Sequence, residues 1–157
     1  MQSYTWFYSL KETLSPEVES QLEQDFDHFL AQWKSHGTPV DGLIQISYHR
    51  FVIIQSDPQT SRPSGCSIDS LKRAVGQILQ QRHQEVLDAA HVFYRDEQQE
   101  IAFTHFRDIP KLVAAGSLSA ETQVFDHSLG QSDDLSRWEI ALQDSWLKRF
   151  LPSATNV

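Results

Sequence analysis

The sequence predicts an α+β fold: one domain with a mixed or largely antiparallel sheet of about five to six strands and about four helices. Three observations support this prediction. The length of 157 residues suits a single core. Strand-like runs rich in aromatic and β-branched residues alternate with amphipathic helical patterns. Two pairs of these runs are joined directly, which indicates hairpins and therefore antiparallel pairing.

The first half of the chain is predicted to contain three strands and two helices. In order, these are a strand at 4–10, a helix from Ser15-Pro16 to His36-Gly37, strands at 43–48 and 51–55, and a helix from Ile68 to about Leu87. Ser15 is the expected N-cap of the first helix and Gly37 its left-handed C-terminal cap. Ser67 or Cys66 is the expected cap of the second helix. The two neighbouring strands form a hairpin that turns at His49-Arg50.

The second half is predicted to contain a hairpin, a short helix, one more strand and a final helix. In order, these are strands at 91–94 and 101–103, a helix from Asp108 to Gly116, a strand at 122–125, and a helix that Ser132-Asp133-Asp134 caps and Pro152 ends. The face of that last helix is expected to carry Leu135, Trp138, Leu142 and Trp146. The residues predicted to be mostly buried are Val18, Leu22, Phe26, Phe29, Ile44, Ile46, Val52, Ile53, Ile54, Leu71, Val75, Ile78, Phe93, Phe103, Val124 and Leu142.

The composition argues against several classes of protein. The formal net charge is −8, and the 13 Lys and Arg residues are scattered without a basic cluster, so we expect no nucleic-acid partner. No apolar run approaches the roughly 20 residues of a membrane helix, and the N-terminus lacks a signal-peptide pattern, so we expect a cytoplasmic protein without membrane contact. One cysteine can form neither an internal disulfide nor a zinc site of thiolates. We expect no cofactor.

The stretch 57–70 is the candidate functional site. It follows the most strand-like run of the chain and combines the only cysteine with glycine and several small hydroxyl residues. A helix that starts here would present unpaired backbone amides and a partial positive charge to a phosphate or carboxylate. The alternative is structural, with Ser67 capping the helix and Gly65 making the turn. The predicted ligand-binding residues are Arg62, Ser64, Gly65, Cys66, Ser67 and Ser70.

Cys66 is the candidate nucleophile of this stretch. A position at a helix N-terminus favours the reactive thiolate. Catalysis also needs a base, and the sequence does not place one. The alternative is a small, packed apolar residue, and no residue is assigned as catalytic. The candidate bases are His49, His91, His105 and His127.

Two groups of acidic and histidine residues have weak metal-site patterns. Asp25, Asp27 and His28 lie close together on the first helix, and Asp126-His127 follows a strand. A metal site needs several ligands that converge from one face. Acidic helix faces are usually solvated, so no metal ligand is assigned.

Six segments, in order along nearly the whole chain, carry a resemblance. They are Trp33–Gly37, Tyr48–Phe51, Ser64–Asp69, Thr122–Phe125, Trp138-Glu139 and Ser145–Phe150. They resemble a family of small uncharacterised bacterial proteins that often carry the label ABC transporter ATPase. A P-loop requires a Gly-Lys pair after its glycine-rich turn. None follows Gly65, and the ABC signature is absent, so the resemblance implies no function and we expect no P-loop ATPase.

The expected function is non-enzymatic binding of a small anionic ligand or a protein partner near residues 64–70. A thiol-dependent enzyme that uses Cys66 is one alternative, and a structural protein-interaction domain is another. A polar pocket that joins Cys66 to a histidine would favour the enzyme. A pocket lined by helix amides without a base would favour ligand binding.

Overall fold

The computed structural model describes residues 3–57, 59–60, 62–129 and 135–153. In chain order its main elements are β1 (Thr5–Leu10), α1 (Pro16–Leu30), β2 (Lys34–Ser35), β3 (Thr38–Pro39), β4 (Gly42–Ser47), β5 (Phe51–Ser56), α2 (Gly65–Gln81), β6 (Val86–Leu87), β7 (His91–Arg95), β8 (Ile101–His105), α3 (Ile109–Ala114), β9 (Gln123–Phe125) and β10 (Glu139–Ala141). None of the helices in these residues has both the length and the hydropathy needed to cross a membrane.

All strand pairs of the described residues are antiparallel, which confirms an α+β fold with largely antiparallel pairing. The strands do not form one sheet of five to six strands, however. They form two four-stranded sheets, ordered β4-β5-β1-β6 and β10-β9-β7-β8, and a ribbon of β2 and β3. Alternating side chains identify a strand but do not say which strand edges pair. For this reason the sequence predicted the strands better than the sheets.

The described residues divide into two compact units, an N-terminal unit up to Leu87 and a C-terminal unit from Asp88 onward. The N-terminal unit packs its own apolar cluster, which includes Leu22, Phe26 and Leu71. The C-terminal unit packs another, which includes Val92, Ile109 and Leu142. Two clusters therefore replace the single core that the length suggested. All residues predicted to be mostly buried are buried or half-buried, as expected. That residues 1–157 form one domain stays a prediction.

The start of α1 and both predicted hairpins are confirmed. The Ser15 side chain caps α1 by accepting a hydrogen bond from the amide of Val18 at 3.3 Å, and Pro16 is the first helical residue. β4 pairs with β5, and β7 pairs with β8. The first of these hairpins turns through Tyr48 and His49, whose φ angles are 54° and 56°. Two non-glycine residues therefore occupy left-handed backbone, which asparagine or glycine adopts at lower cost.

Gly37 does not cap α1, because that helix ends at Leu30. The segment after it forms the β2–β3 ribbon, in which Ser35 pairs with Thr38. His36 and Gly37 are the two residues of its turn, with φ angles of 51° and 80°. Glycine at positive φ suits a tight hairpin turn as well as a helix cap. The left-handed conformation expected of Gly37 is present, but in a different structure.

α2 also differs from its predicted bounds. It begins at Gly65 with Ser64 as N-cap, where Ser67 or Cys66 was expected, and it ends at Gln81. His83 follows at φ 57°. The amide of His83 donates to the carbonyl of Gln80 at 3.0 Å, and the amide of Gln84 donates to Leu79 at 2.9 Å. This is a Schellman ending with histidine where glycine is usual.

Replacing His83 by glycine is expected to raise the free energy of unfolding by about 0.5–1 kcal/mol. Glycine removes the penalty of about 1–2 kcal/mol that a side chain has in left-handed backbone. Part of this gain is lost because glycine raises the conformational entropy of the unfolded chain. Urea unfolding followed by circular dichroism measures the change. Gly116 is the matched control, because it has φ 79° at the equivalent position after α3. Gly116→Ala should destabilise by about 1 kcal/mol, and equal effects of both variants would contradict this account of the helix ends.

The predicted final helix is wrong. Residues Leu135–Arg137, Leu142–Asp144 and Trp146–Phe150 form short 3₁₀ helices, and β10 lies between the first two. The backbone of this segment pairs with the neighbouring strand: the amide of Asp126 donates to Trp138 at 2.6 Å, and the amide of Leu142 donates to Thr122 at 2.8 Å. Hydrogen bonding to β9 thus replaces the helical hydrogen bonds. The predicted cap, Ser132-Asp133-Asp134, lies outside the described residues.

Candidate functional site

The first turn of α2 contains most of the residues predicted to bind a ligand. Ser64 is the N-cap, and Gly65, Cys66 and Ser67 are the first three helical residues. Ser70 lies further along the same helix and is exposed. Arg62 precedes the cap by two residues and is also exposed. The local sequence explains this start, because serine is a favoured N-cap and the first helical position tolerates glycine better than the interior does.

Ser64 and Ser67 form a reciprocal capping box. The amide of Ser67 donates to Ser64 Oγ at 3.2 Å, and the amide of Ser64 donates to Ser67 Oγ at 2.6 Å. The Ser67 hydroxyl in turn donates to the Ser64 carbonyl at 2.9 Å. Ser67 is buried, with 3% of its surface exposed. These two hydroxyls therefore stabilise the helix start. The other amides of the first turn are those of Gly65 and Cys66, which have no acceptor within α2.

Two expectations about the glycine and the cysteine are corrected. Cys66 is exposed, so it is not a packed apolar residue. Gly65 does not have a positive φ, and a Cβ placed on it would meet nothing within 4 Å. Gly65 is thus an ordinary helical residue on an open surface, and a larger side chain there causes no clash. Asp57 is part of a local turn, in which its Oδ1 accepts from the amide of Gln59 at 2.8 Å.

A row of aromatic side chains runs from this helix start to Arg62. The indole of Trp33 donates to the carbonyl of Ser67 at 2.9 Å in a buried hydrogen bond. The ring of Trp6 lies edge-on to Trp33, with centroids 5.8 Å apart, and stacks on Tyr4 at 5.9 Å. The Tyr4 hydroxyl accepts from Arg62 Nη2 at 2.9 Å and from Nε at 3.1 Å. The row therefore holds both the charged residue and the helix start of the candidate site.

Sequence reasoning missed this aromatic row as part of the site. The sequence predicted only that Tyr4 and Trp6 lie in the strand at 4–10 and that Trp33 lies in the helix expected to end at His36-Gly37. Their common position depends on contacts between residues more than 25 positions apart in the chain, as between Trp33 and Ser67. The only local signal was the alternation of aromatic residues in β1, which indicates a buried face but not what covers it.

Trp33→Phe is expected to lower the free energy of unfolding by about 1–3 kcal/mol. The substitution removes the buried hydrogen bond to Ser67 and part of a ring that is only 2% exposed. Guanidinium unfolding monitored by far-ultraviolet circular dichroism checks this. The matched control is Trp146→Phe, since 42% of Trp146 is exposed, and a change within about 0.5 kcal/mol is expected there. Equal losses in both variants would argue against a structural role of the Trp33 hydrogen bond.

The acid–histidine groups singled out from the sequence have structural partners. Asp25 accepts from Arg82 Nε at 2.9 Å and from Nη2 at 3.2 Å. Asp126 accepts from the amide of Ser128 at 2.9 Å. In the part of the chain that the structure describes, no group of three or more His, Cys, Asp or Glu could hold a metal ion.

The histidines proposed as bases have partners of their own. His49 Nδ1 lies 2.7 Å from Glu19 Oε2, and His91 Nδ1 lies 2.8 Å from Asp88 Oδ1. His105 Nδ1 accepts from the amide of Arg107 at 3.2 Å. The ring of His127 stacks on Trp138, with centroids 6.3 Å apart. None of these pairs involves the thiol of Cys66.

Comparison with models of protein families, with curated proteins and with solved structures found no match for this chain. The resemblance to small bacterial proteins therefore stays a prediction, and the proposals below depend on the geometry alone.

Proposed function

We propose that this protein binds a small anionic ligand at the first turn of α2 and does not transform it. The observation that carries the proposal is the start of α2 at Gly65, on an open surface. The amides of Gly65 and Cys66 have no acceptor within the helix, and the helix dipole adds a partial positive charge there. Phosphate and carboxylate groups bind at helix N-termini for these reasons.

The charges around this turn support an anionic ligand. No acidic residue lies in the first turn of α2. Arg62 places a guanidinium two residues before the cap, and its Cζ lies 5.7 Å from the centre of the Tyr4 ring. Because the capping box occupies the hydroxyls of Ser64 and Ser67, the proposed ligand contacts are the two amides, Arg62 and the exposed hydroxyl of Ser70.

A pair of substitutions at Gly65 tests the proposal. Proline at the first helical position lacks an amide hydrogen but keeps helical geometry, and Ser64 already has the extended backbone that precedes proline, with φ −92° and ψ 170°. Gly65→Pro should therefore remove one ligand-binding amide without unfolding α2. Gly65→Ala is the matched control, because it keeps the amide and adds only a methyl group in open space.

Thermal denaturation with sulfate or phosphate is the measurement, with sodium chloride at equal ionic strength as reference. At about ten times the Kd, the anion should stabilise the natural chain and Gly65→Ala by about 1.4 kcal/mol. Gly65→Pro and Arg62→Ala should lose most of this gain. The proposal is wrong if neither anion stabilises the natural chain beyond chloride, or if Gly65→Pro and Gly65→Ala respond equally.

Thiol-dependent catalysis is the second candidate function, and the exposure of Cys66 at the second position of α2 favours it. An exposed thiol should react with iodoacetamide in the folded protein. Rapid alkylation below a pH of about 8.5, compared with a peptide of the same local sequence, would support a nucleophile. Alkylation at the same rate as that peptide would show that the folded protein does not activate the thiol. Cys66→Ser should keep the anion effect, because amides and not the thiol bind the ligand.

A further inference from the structure

A cavity lies within the C-terminal unit, and none of its lining residues belongs to the proposed anion site. Its volume is about 240 Å³, and its described lining consists of Ala89, His91, Val92, Phe125, His127, Ser128 and Trp146. Cavities that bind small molecules typically combine apolar and aromatic walls with a few polar groups. An apolar cavity of about 150 Å³ is large enough for benzene, so this cavity has room for a fused two-ring ligand.

His91 is held in a defined orientation at this cavity. Its Nδ1 lies 2.8 Å from Asp88 Oδ1, and its ring meets the rings of Phe103 and His105 edge-on, with centroids 5.9 Å and 5.7 Å away. The hydrogen bond from His91 is the main cause that lowers the pKa of Asp88, so Asp88 is a carboxylate and Nδ1 is the donor. Because Asp88 engages Nδ1, Nε2 is the ring nitrogen of His91 that a ligand in the cavity would contact.

His127 contributes a second imidazole. Its ring stacks on Trp138 with centroids 6.3 Å apart and lies 6.4 Å from Phe93. Burial lowers the pKa of His127 to about 4, so this imidazole is neutral near pH 7 and adds no charge to the cavity.

The described lining residues include no Asp, Glu, Lys or Arg. The charged groups that contact the lining are the Asp88 carboxylate on His91, the Asp126 carboxylate on Ser128 and the Arg149 guanidinium over Trp146. The cavity therefore offers hydrogen bonds and aromatic surface without an excess of positive charge to attract an anion.

The hydroxyl of Ser128 is not an activated nucleophile here. It donates to Asp126 Oδ1 at 2.5 Å, and the Ser128 amide donates to the same oxygen at 2.9 Å. A serine nucleophile instead gives its proton to a neighbouring base such as histidine. The arrangement thus favours binding over acyl transfer.

We propose that this cavity binds an uncharged planar nitrogen heterocycle of one or two rings, which stacks on Trp146, hydrogen-bonds to His91 and contacts the His127 ring. Val92 and Phe125 provide the apolar wall. Trp146 is 42% exposed, and the Arg149 guanidinium lies over its ring, with Cζ 5.1 Å from the ring centre. A planar ligand would therefore stack on the ring face away from Arg149. This site is independent of the anion site at α2 and concerns a different class of ligand.

Calorimetric titration of the full chain with purine tests the inference. We expect a Kd tighter than about 1 mM. Trp146→Ala should weaken binding by about tenfold or more, because stacking of a base on an aromatic ring is worth about 1–3 kcal/mol. Tyr48→Ala is the matched control, as Tyr48 is another exposed aromatic residue, at 46%, and it should leave the affinity unchanged. Gly65→Pro should also leave it unchanged, which separates this test from that of the anion site.

Two further probes define the ligand class. Benzene has no hydrogen-bonding group, so His91→Phe should weaken the binding of purine by about two- to tenfold and leave that of benzene unchanged. Benzoate should bind more weakly than purine because the Asp88 and Asp126 carboxylates lie next to His91 and Ser128 of the lining. Purine binding weaker than about 1 mM, equal binding of benzoate, or an unchanged affinity in Trp146→Ala would overturn the proposal.

Nuclear magnetic resonance of the unaltered chain provides a second readout that needs no variant. Purine should shift the imidazole signals of His91 and His127. The exposed imidazoles of His28 and His36 in the N-terminal unit should not move. Uniform shifts of all four, or none at His91 and His127, would also overturn the proposal.

Discussion

Phe26→Ala is expected to lower the free energy of unfolding by about 3–5 kcal/mol. The Phe26 side chain has no exposed surface and belongs to the apolar cluster of the N-terminal unit, together with Leu22, Leu71 and Val75. Alanine would leave a cavity that these packed neighbours fill only in part, so the loss of dispersion contacts adds to the loss of apolar burial. Urea unfolding followed by circular dichroism measures the change.

Glu23→Ala is the matched control for this substitution. Glu23 lies on the same helix one turn earlier and is exposed. Alanine favours a helix, so a change within about 0.5 kcal/mol is expected. A loss below about 1 kcal/mol for Phe26→Ala would contradict the packing of α1 described here.

Acidification from pH 7 to about 4 is expected to destabilise the protein by about 3 kcal/mol through His127 alone. Burial lowers the pKa of His127 to about 4 in the folded protein, from its ordinary value of 6.5. The Asp126 carboxylate raises it and is the smaller influence. Between these two pH values the unfolded chain binds a proton at His127 that the folded protein does not. The stabilising contribution is therefore complete above pH 6.5 and is lost as the pH falls towards 4.

His127→Phe isolates this effect, because the phenyl ring retains contacts with Phe93 and Trp138 but cannot be protonated. The free energy of unfolding, measured at intervals between pH 7 and 4, should fall less steeply in this variant. His36→Phe is the control, since His36 is exposed, and its pH dependence should match that of the natural chain. Identical slopes in His127→Phe and the natural chain would contradict this prediction, because they would show that His127 has the same pKa in the folded and the unfolded chain.

Local patterns in the sequence predicted elements whose hydrogen bonds close within a few residues. Ser15-Pro16 identified the start of α1, because the Ser15 side chain bonds to an amide three residues later. The helix that Asp108 and Gly116 were expected to bound is observed as α3, followed by Gly116 at φ 79°. Where two local structures use the same residue type, the sequence alone was ambiguous. His36-Gly37 is compatible with both a helix end and a hairpin turn. The structure has the turn, because β2 pairs with β3 on either side of it.

The candidate site was predicted in the same partial way. Sequence analysis started the helix at Ile68 and left Ser67 or Cys66 as the choice of cap, whereas α2 begins at Gly65 with Ser64 as its cap. The reciprocal bonds of Ser64 and Ser67 resolve this choice and remove both hydroxyls from the predicted ligand contacts. Cys66 is exposed and not packed.

By itself, the sequence determined the α+β class with a mixed or largely antiparallel sheet, the two hairpins, the start of α1 and part of the apolar core. These features follow from periodicity and from the chemistry of caps, which act within a few residues. Tertiary structure alone decided the division of the strands into two sheets, the replacement of the last helix by β10 and 3₁₀ turns, and the meeting of Trp33 with Ser67. It also brought His91, His127 and Trp146 to one cavity. Each of these depends on pairing between distant segments, and a local pattern carries no information about its partner.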